Sequence, residues 1–332
     1  MFFSLSKTAF ILLIINFLSM TSIHAESTQD DFQTWLTSYK AFALKKGISE
    51  KTIKTTFKEV KFLENVIKYD RKQPEFFEDT ETYVKKRATK SKAKKAKELL
   101  KKNLNLFSKV ENKFNVEKEI LLALWGIETH FGNHVGKMDI ISSLATLSYD
   151  KRRRDFFSSQ LLILLKLIDK NLVDANTLYG SWAGAFGNFQ FMPSTIQNYA
   201  IDYDDNKKIE LKSSLPDSVA SAANYINKIG WKKDQPCFYR VKLTKKINKK
   251  YIYTSARGIS QKLILSKWKK KGVINIDGSE FKTDHEASLI LPDGKDGSPT
   301  FLVFDNYKKI LQWNRSLRFG VSVCTLANMI KT

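Results

Sequence analysis

Polarity along the chain changes character several times. An apolar run, interrupted by Asn16 alone, covers residues 9–18. From residue 27 to about 106, apolar positions recur at helical spacing among many lysines. That period predicts helices over 31–45, 49–60, 76–89 and 91–103. From Ile120 to Ile127 polar side chains vanish, apart from the Trp125 ring nitrogen, so this helix is expected to be buried on every side. Asn115 is its expected N-cap, with Glu117 and Glu119 in the first turn. Further helices are expected over 156–170 and 217–229. Beyond residue 232 the period shortens. Residues 238–243 alternate, 286–291 and 301–305 are strand-like, and Pro292-Asp293-Gly294 is a turn. A short helix over 260–269 and a closing helix over 316–329 complete the reading. No internal repeat or low-complexity tract interrupts it.

Chemistry concentrates where the apolar helix ends. Glu128 stands at that exit, in Trp125-Gly126-Ile127-Glu128-Thr129-His130-Phe131-Gly132. A lone carboxylate there must be paired, solvated in a cleft or protonated. Burial and the negative end of the helix dipole both favour the protonated form. A carboxylic acid that keeps its proton near neutral pH is what a glycosidase needs to protonate a leaving oxygen. A structural Glu bonded to nearby backbone is the competing reading.

A second segment runs Tyr179-Gly180-Ser181-Trp182-Ala183-Gly184-Ala185-Phe186-Gly187-Asn188-Phe189-Gln190-Phe191-Met192-Pro193-Ser194. Its glycines break regular structure and let backbone approach a ligand closely. Aromatic faces suit sugar rings while Ser, Asn and Gln suit hydroxyls and amides. Taken singly, each aromatic is expected to be ordinary core.

Together these segments resemble the lytic murein transglycosylase B family. The resemblance rests on WGIETHFG, then LATLSYDKRRRDFF from Leu144, then GSWAGAFGNFQFMPST from Gly180, with AANYINKIGW from Ala222 and WNRS from Trp313. It implies an α+β fold, mainly α: a lysozyme-like helical core over 107–231 completed by 301–332, an N-terminal helical region over 26–106, and a small β-rich insertion over 232–300. It implies a lyase-type cleavage of peptidoglycan between N-acetylmuramic acid and N-acetylglucosamine. Glu128 would serve as acid and then base, and the products would carry 1,6-anhydro ends. Only one convincing carboxylate is present, since Asp150 and Asp155 flank Lys151-Arg152-Arg153-Arg154 and suit surface ion pairs. The resemblance replaces the second carboxylate by the substrate's own N-acetyl group. It assigns Ser181, Gln190, Tyr225 and Asn314 to substrate binding. Trp313 stands where the family often has Tyr, which leaves its polar role open. The competing reading is a silent wall-binding module, against which Glu128 in its full motif speaks.

Charge and compartment sharpen the picture. The 332 residues carry a formal net charge of +22 and 42% hydrophobic content, enough for a real core and an anionic partner. Lys7, the apolar run and Ala25 form a secretory leader over 1–25, too short to span a membrane. An exported, periplasmic protein meets wall polymer, so nucleic acid is not expected. No cysteine lies near the cut, which excludes a lipid-bearing N-terminal Cys. Lys90 to Lys102 reads as a helix with a solvated basic face. A monomer is expected, with cell-wall synthesis proteins as further partners. Cys237 and Cys324 could pair in an oxidising compartment, but two separate buried thiols is the simpler expectation. No cofactor is expected. Asp202, Asp204 and Asn206 resemble the start of a calcium loop, but Lys207 replaces the turn glycine, Ser213 stands at the closing position and Asp217 comes late. No metal is therefore expected.

Overall fold

The computed structural model describes residues 29–72 and 77–332. The expected leader lies outside the described residues, as does Phe76 at the start of one expected helix. Helices α1 (Gln29–Lys45), α2 (Glu50–Thr56), α3 (Glu64–Arg71), α4 (Thr80–Arg87), α5 (Lys90–Lys102) and α6 (Leu104–Phe114) lead into α7 (Lys118–Thr129). Several open on side-chain caps: Ser49 accepts from the Thr52 N–H, Asp79 from Thr82 and Thr89 from Lys92. Next come β1 (Met138–Asp139), α8 (Ile140–Tyr149), α9 (Arg154–Asp169), β2 (Tyr179–Gly180), α10 (Pro193–Tyr199) and α11 (Leu215–Lys228).

The apolar helix is the centre of the molecule, as its sequence implies. Residues Ile120 to Gly126 of α7 are all buried. Asn115, however, does not open α7. It closes α6 in the left-handed conformation, with φ 55°, and Glu117 takes the N-cap position. Asparagine tolerates that conformation, so it ends one helix as readily as it starts another.

The rest of the chain builds a small sheet and returns to the helices. Its elements are β3 (Phe238–Leu243), β4 (Ile252–Tyr253), β5 (Leu263–Ile264), α12 (Leu265–Lys270), β6 (Val273–Asn275), β7 (Glu286–Ile290), β8 (Thr300–Val303), α13 (Asp305–Trp313) and α14 (Leu317–Lys331). Part of the helix expected over 260–269 is strand: Leu263 and Ile264 pair with β7, and the helix starts at Leu265. The sheet order is β4-β7-β8-β3-β6, with β5 also on β7. Its strands are antiparallel except β4 on β7.

Strand alternation divides the sheet between two cores. Leu289, Leu302 and Phe304 pack with Trp268 in a cluster of the sheet's own, whereas Ile290, Phe301 and Val303 join the main helical core. A covalent link adds to this contact. Cys237, just before β3, is disulfide-bonded to Cys324 in α14, with Cα atoms 6.0 Å apart. The expectation of two separate thiols is thus corrected, because α14 packs where β3 begins. Among the described residues no helix is long and apolar enough to cross a membrane.

Candidate active site

Glu128 lies in the last turn of α7, half-exposed where the buried run ends. The Trp313 indole N–H, at the end of α13, donates to its Oε1 at 2.8 Å. Trp313 stacks on Tyr225, with centroids 5.1 Å apart, and Tyr225 stacks on Tyr199 at 4.4 Å. Phe191 meets Trp313 edge-on at 5.3 Å. The carboxyl is therefore oriented by a neutral donor fixed in an aromatic wall. Tyr225 donates its hydroxyl to the Gln312 carbonyl at 3.0 Å. Burial, with the Tyr199 hydroxyl nearby, pushes its phenol up to about 12, so it stays neutral. Trp313, whose polar role the sequence left open, is the residue that meets the Glu128 carboxyl. The signal was present, since an indole N–H at a helix exit needs an acceptor.

The glycine-rich segment abuts this helix end. β1 pairs with β2, placing Met138 opposite Gly180. The backbones are so close here that a Cβ on Gly136 would sit 2.0 Å from the Gly180 oxygen. Ser181 Oγ accepts from the Ala185 N–H at 2.9 Å and from Ala183 at 3.3 Å, which builds the turn. Among the described residues its own hydroxyl hydrogen meets no acceptor. Gln190, at φ 50°, donates Nε2 to the Gly187 and Val135 carbonyls at 3.0 and 3.1 Å. Among the described residues no donor meets its Oε1. Asn314 caps α13, with its backbone N–H on the Ile310 carbonyl at 3.0 Å.

One expectation for this segment changes. Asn188 is no sugar ligand but a buried hub. Its Oδ1 accepts from Trp125 Nε1 at 3.0 Å, and its Nδ2 reaches the Leu211 and Lys212 carbonyls and Ser218. Thr129 donates to the Asn188 carbonyl at 2.7 Å, locking the residue after Glu128 to the glycine turn. Phe186, Phe189 and Phe191 are core, as expected of them singly, and Trp182 alone of the four is half-exposed. Asp150 makes the expected ion pair, with Arg71 at 3.0 Å.

A second group of carboxylates lies in the loop before α11. Asp202, Asp204 and Asp217 bring oxygens within 4.8 Å of one another. Chain spacing put Asp217 too late for such a set; it belongs there because the first turn of α11 folds back on the loop. Asp217 is fully buried and accepts from the Tyr203 and Glu210 N–H groups at 2.8 and 3.0 Å. Burial raises its pKa, the two backbone bonds oppose this, and Asp204 and Asp202 add to the rise. Asn206 turns its amide to Glu210 instead, at 3.0 Å. Converging carboxylates that repel one another fit a hard cation, which these three would hold.

The family model for the transglycosylase SLT domain matches residues 31–328. Over 121 residues the chain is 39% identical to membrane-bound lytic murein transglycosylase B of Escherichia coli (strain K12), covering 36% of this chain. The matched stretch spans 33% of that relative's length. SltB3 from Pseudomonas aeruginosa, solved in complex with NAG-NAM-pentapeptide, superposes with TM-score 0.83 at 32% identity, covering 90% of this chain and 79% of that one. The Escherichia coli lytic transglycosylase Slt35, solved in complex with calcium, shares the fold with TM-score 0.76 at 23% identity, covering 89% and 92%.

Proposed function

The chain belongs to the transglycosylase SLT domain family, and on that premise we propose that it is a peptidoglycan lytic transglycosylase with Glu128 as its acid and base. The observation that carries the reading is the Glu128 carboxyl, oriented by the Trp313 indole at the exit of a buried helix. Glu128 gives its proton to the glycosidic oxygen as the bond from muramoyl C1 breaks. The N-acetyl group of the same sugar supports the electron-poor C1. The muramoyl C6 hydroxyl then attacks C1 and returns a proton to the Glu128 carboxylate. The ring closes as a 1,6-anhydro sugar, no water is consumed, and the carboxyl ends as it began.

Ser181, Gln190, Tyr225 and Asn314 hold the strand in this reading. The hydroxyl hydrogen of Ser181 and Oε1 of Gln190 are their available polar ends. The leader read over 1–25 supports export to the periplasm, with cell-wall synthesis proteins as further partners of a monomer. The β-rich residues 232–300 form a separate unit in this reading, supported by the sheet's own cluster around Trp268. Incubation of the protein with purified sacculi is expected to release soluble glycan fragments. Intact sacculi after incubation with folded protein would overturn the reading.

A further inference from the structure

Helices α4 and α5 both pack on α14, and each borders a groove there. The first groove, of about 680 Å³, is lined by α5 and by Met329 and Thr332 at the end of α14. Lys90, Lys94, Lys97 and Lys101 all line it. Their spacing puts them on one side of the helix, in a stripe about 16 Å long. Glu98 is the one acidic residue of the lining. Among the described residues none of the four lysines makes an ion pair, whereas Lys86 and Arg87 of α4 both hold Glu78, at 2.6 and 2.8 Å. Ala93 and Ala96 are buried, which fixes the helix and keeps the stripe outside.

The second groove, of about 440 Å³, has largely apolar walls. Val84 of α4, Phe238 of β3, Phe301 of β8 and Val321 of α14 line it, and its charged residues are Glu81, Lys85 and Arg240. Met329, half-buried, lines both grooves, so the apolar one continues into the lysine one past a single side chain. A soluble polyanion needs charge alone. A lipid surface presents anionic headgroups beside apolar chains, and this face offers lysines beside an apolar groove.

We infer that this face, centred on Met329, docks the protein on an anionic phospholipid membrane. Headgroup phosphates lie along the lysine stripe, and Met329 with the apolar groove meets the acyl region. Such a contact rests on the membrane surface and spans nothing. It is separate from the proposed catalytic site, since neither groove is lined by Glu128, Ser181, Gln190, Tyr225 or Asn314.

The test is co-sedimentation of the mature protein, its leader cleaved, with vesicles of phosphatidylglycerol and phosphatidylethanolamine, against vesicles of phosphatidylcholine alone. The wild type is expected to bind the first and not the second, and to bind less as salt rises. Lys94→Gln/Lys97→Gln/Lys101→Gln should lower the partition constant roughly ten- to hundred-fold, since each lysine at an anionic surface is worth about five-fold. Met329→Gln, which leaves the charge alone, should lower it about two- to five-fold. Lys245→Gln/Lys246→Gln/Lys249→Gln, exposed on the β-rich part, removes the same charge and should bind as the wild type does. Equal loss in both lysine variants would reduce the effect to net charge and overturn the docking face. Loss in the stripe variant with none in Met329→Gln would make the face a plain polyanion surface. Weaker binding to purified sacculi at unchanged vesicle binding would make it a wall contact. Either result overturns the membrane, as does a wild type that stays in the supernatant. Should the triple variant not fold, the salt dependence of the wild type and the Met329→Gln loss carry the test.

Discussion

Glu128 and Asp217 are carboxylates on helices of one core, and opposite helix ends set them apart. Asp217 is in the first turn of α11, folded against the preceding loop, whose Tyr203 and Glu210 N–H groups point at its carboxylate. It is 0% exposed and is held by two backbone donors. Glu128 is at the far end of α7, where the backbone offers carbonyls that a carboxylate cannot use. It takes a donor from across the fold instead, the Trp313 indole, 185 residues away in sequence. The first carboxylate is a piece of scaffold. The second is held by a side chain and is only partly buried, which in the proposed function leaves it available for chemistry.

The sharpest way to break this contrast is to swap the acid. Glu128→Gln keeps the shape but has no proton to transfer. Cleavage of sacculi is expected to fall by about 10²–10⁴-fold or more, since one residue serves both steps, with a native-like melting curve. A large fall in melting temperature instead would make Glu128 scaffold as well.

The scaffold side is tested next. Cys237 and Cys324 are 87 residues apart in sequence, and loop-closure entropy for such a span is about 4–5 kcal/mol. Replacing both by Ser is expected to lower denaturant stability by a few kcal/mol, about 2–5, while cleavage per folded molecule changes little. Equal unfolding midpoints under reducing and oxidising conditions in the wild type would contradict this role.

Asp217→Asn should be the mirror image of the Glu128 variant. An amide cannot accept from both buried N–H groups, so about 1–3 kcal/mol of stability is lost, with turnover per folded molecule nearly intact. The raised Asp217 pKa adds a sign. The folded state favours the protonated form, so wild-type stability falls as pH rises from the ordinary aspartate value through the raised one. Calcium would offset that fall and raise the wild-type melting temperature, but not that of Asp217→Asn. Chelator is expected to leave cleavage standing, because no step runs through this loop. A melting curve insensitive to calcium would show that the loop's own donors suffice.

Trp313→Phe has the smallest expected effect. It removes one hydrogen bond, worth about 0.5–1.5 kcal/mol, so kcat should drop roughly two- to ten-fold with KM little changed. Unchanged kcat would detach Trp313 from the acid.

What the sequence made legible follows the same divide. The burial of α7, the place of Glu128 at its exit and the strand at 238–243 are local matters of period and polarity, and they are seen in the fold. The misread features depend on which distant segments meet. Asn188 looked like a sugar ligand because nothing local said that Trp125, 63 residues earlier, would donate to it. Asp217 looked displaced because helix α11 had yet to fold back. The two cysteines carried no sign that β3 begins against α14. Asn115 failed for a local reason, since one side chain suits either end of a helix.

The central claim is that one carboxyl, used twice, directs the substrate's own hydroxyl to C1. Cleavage of purified sacculi in water enriched in heavy oxygen tests it most directly. The account predicts terminal muramoyl residues one water lighter than the reducing sugar and free of the label. Reducing ends that carry heavy oxygen at C1 would show water as the nucleophile and contradict it.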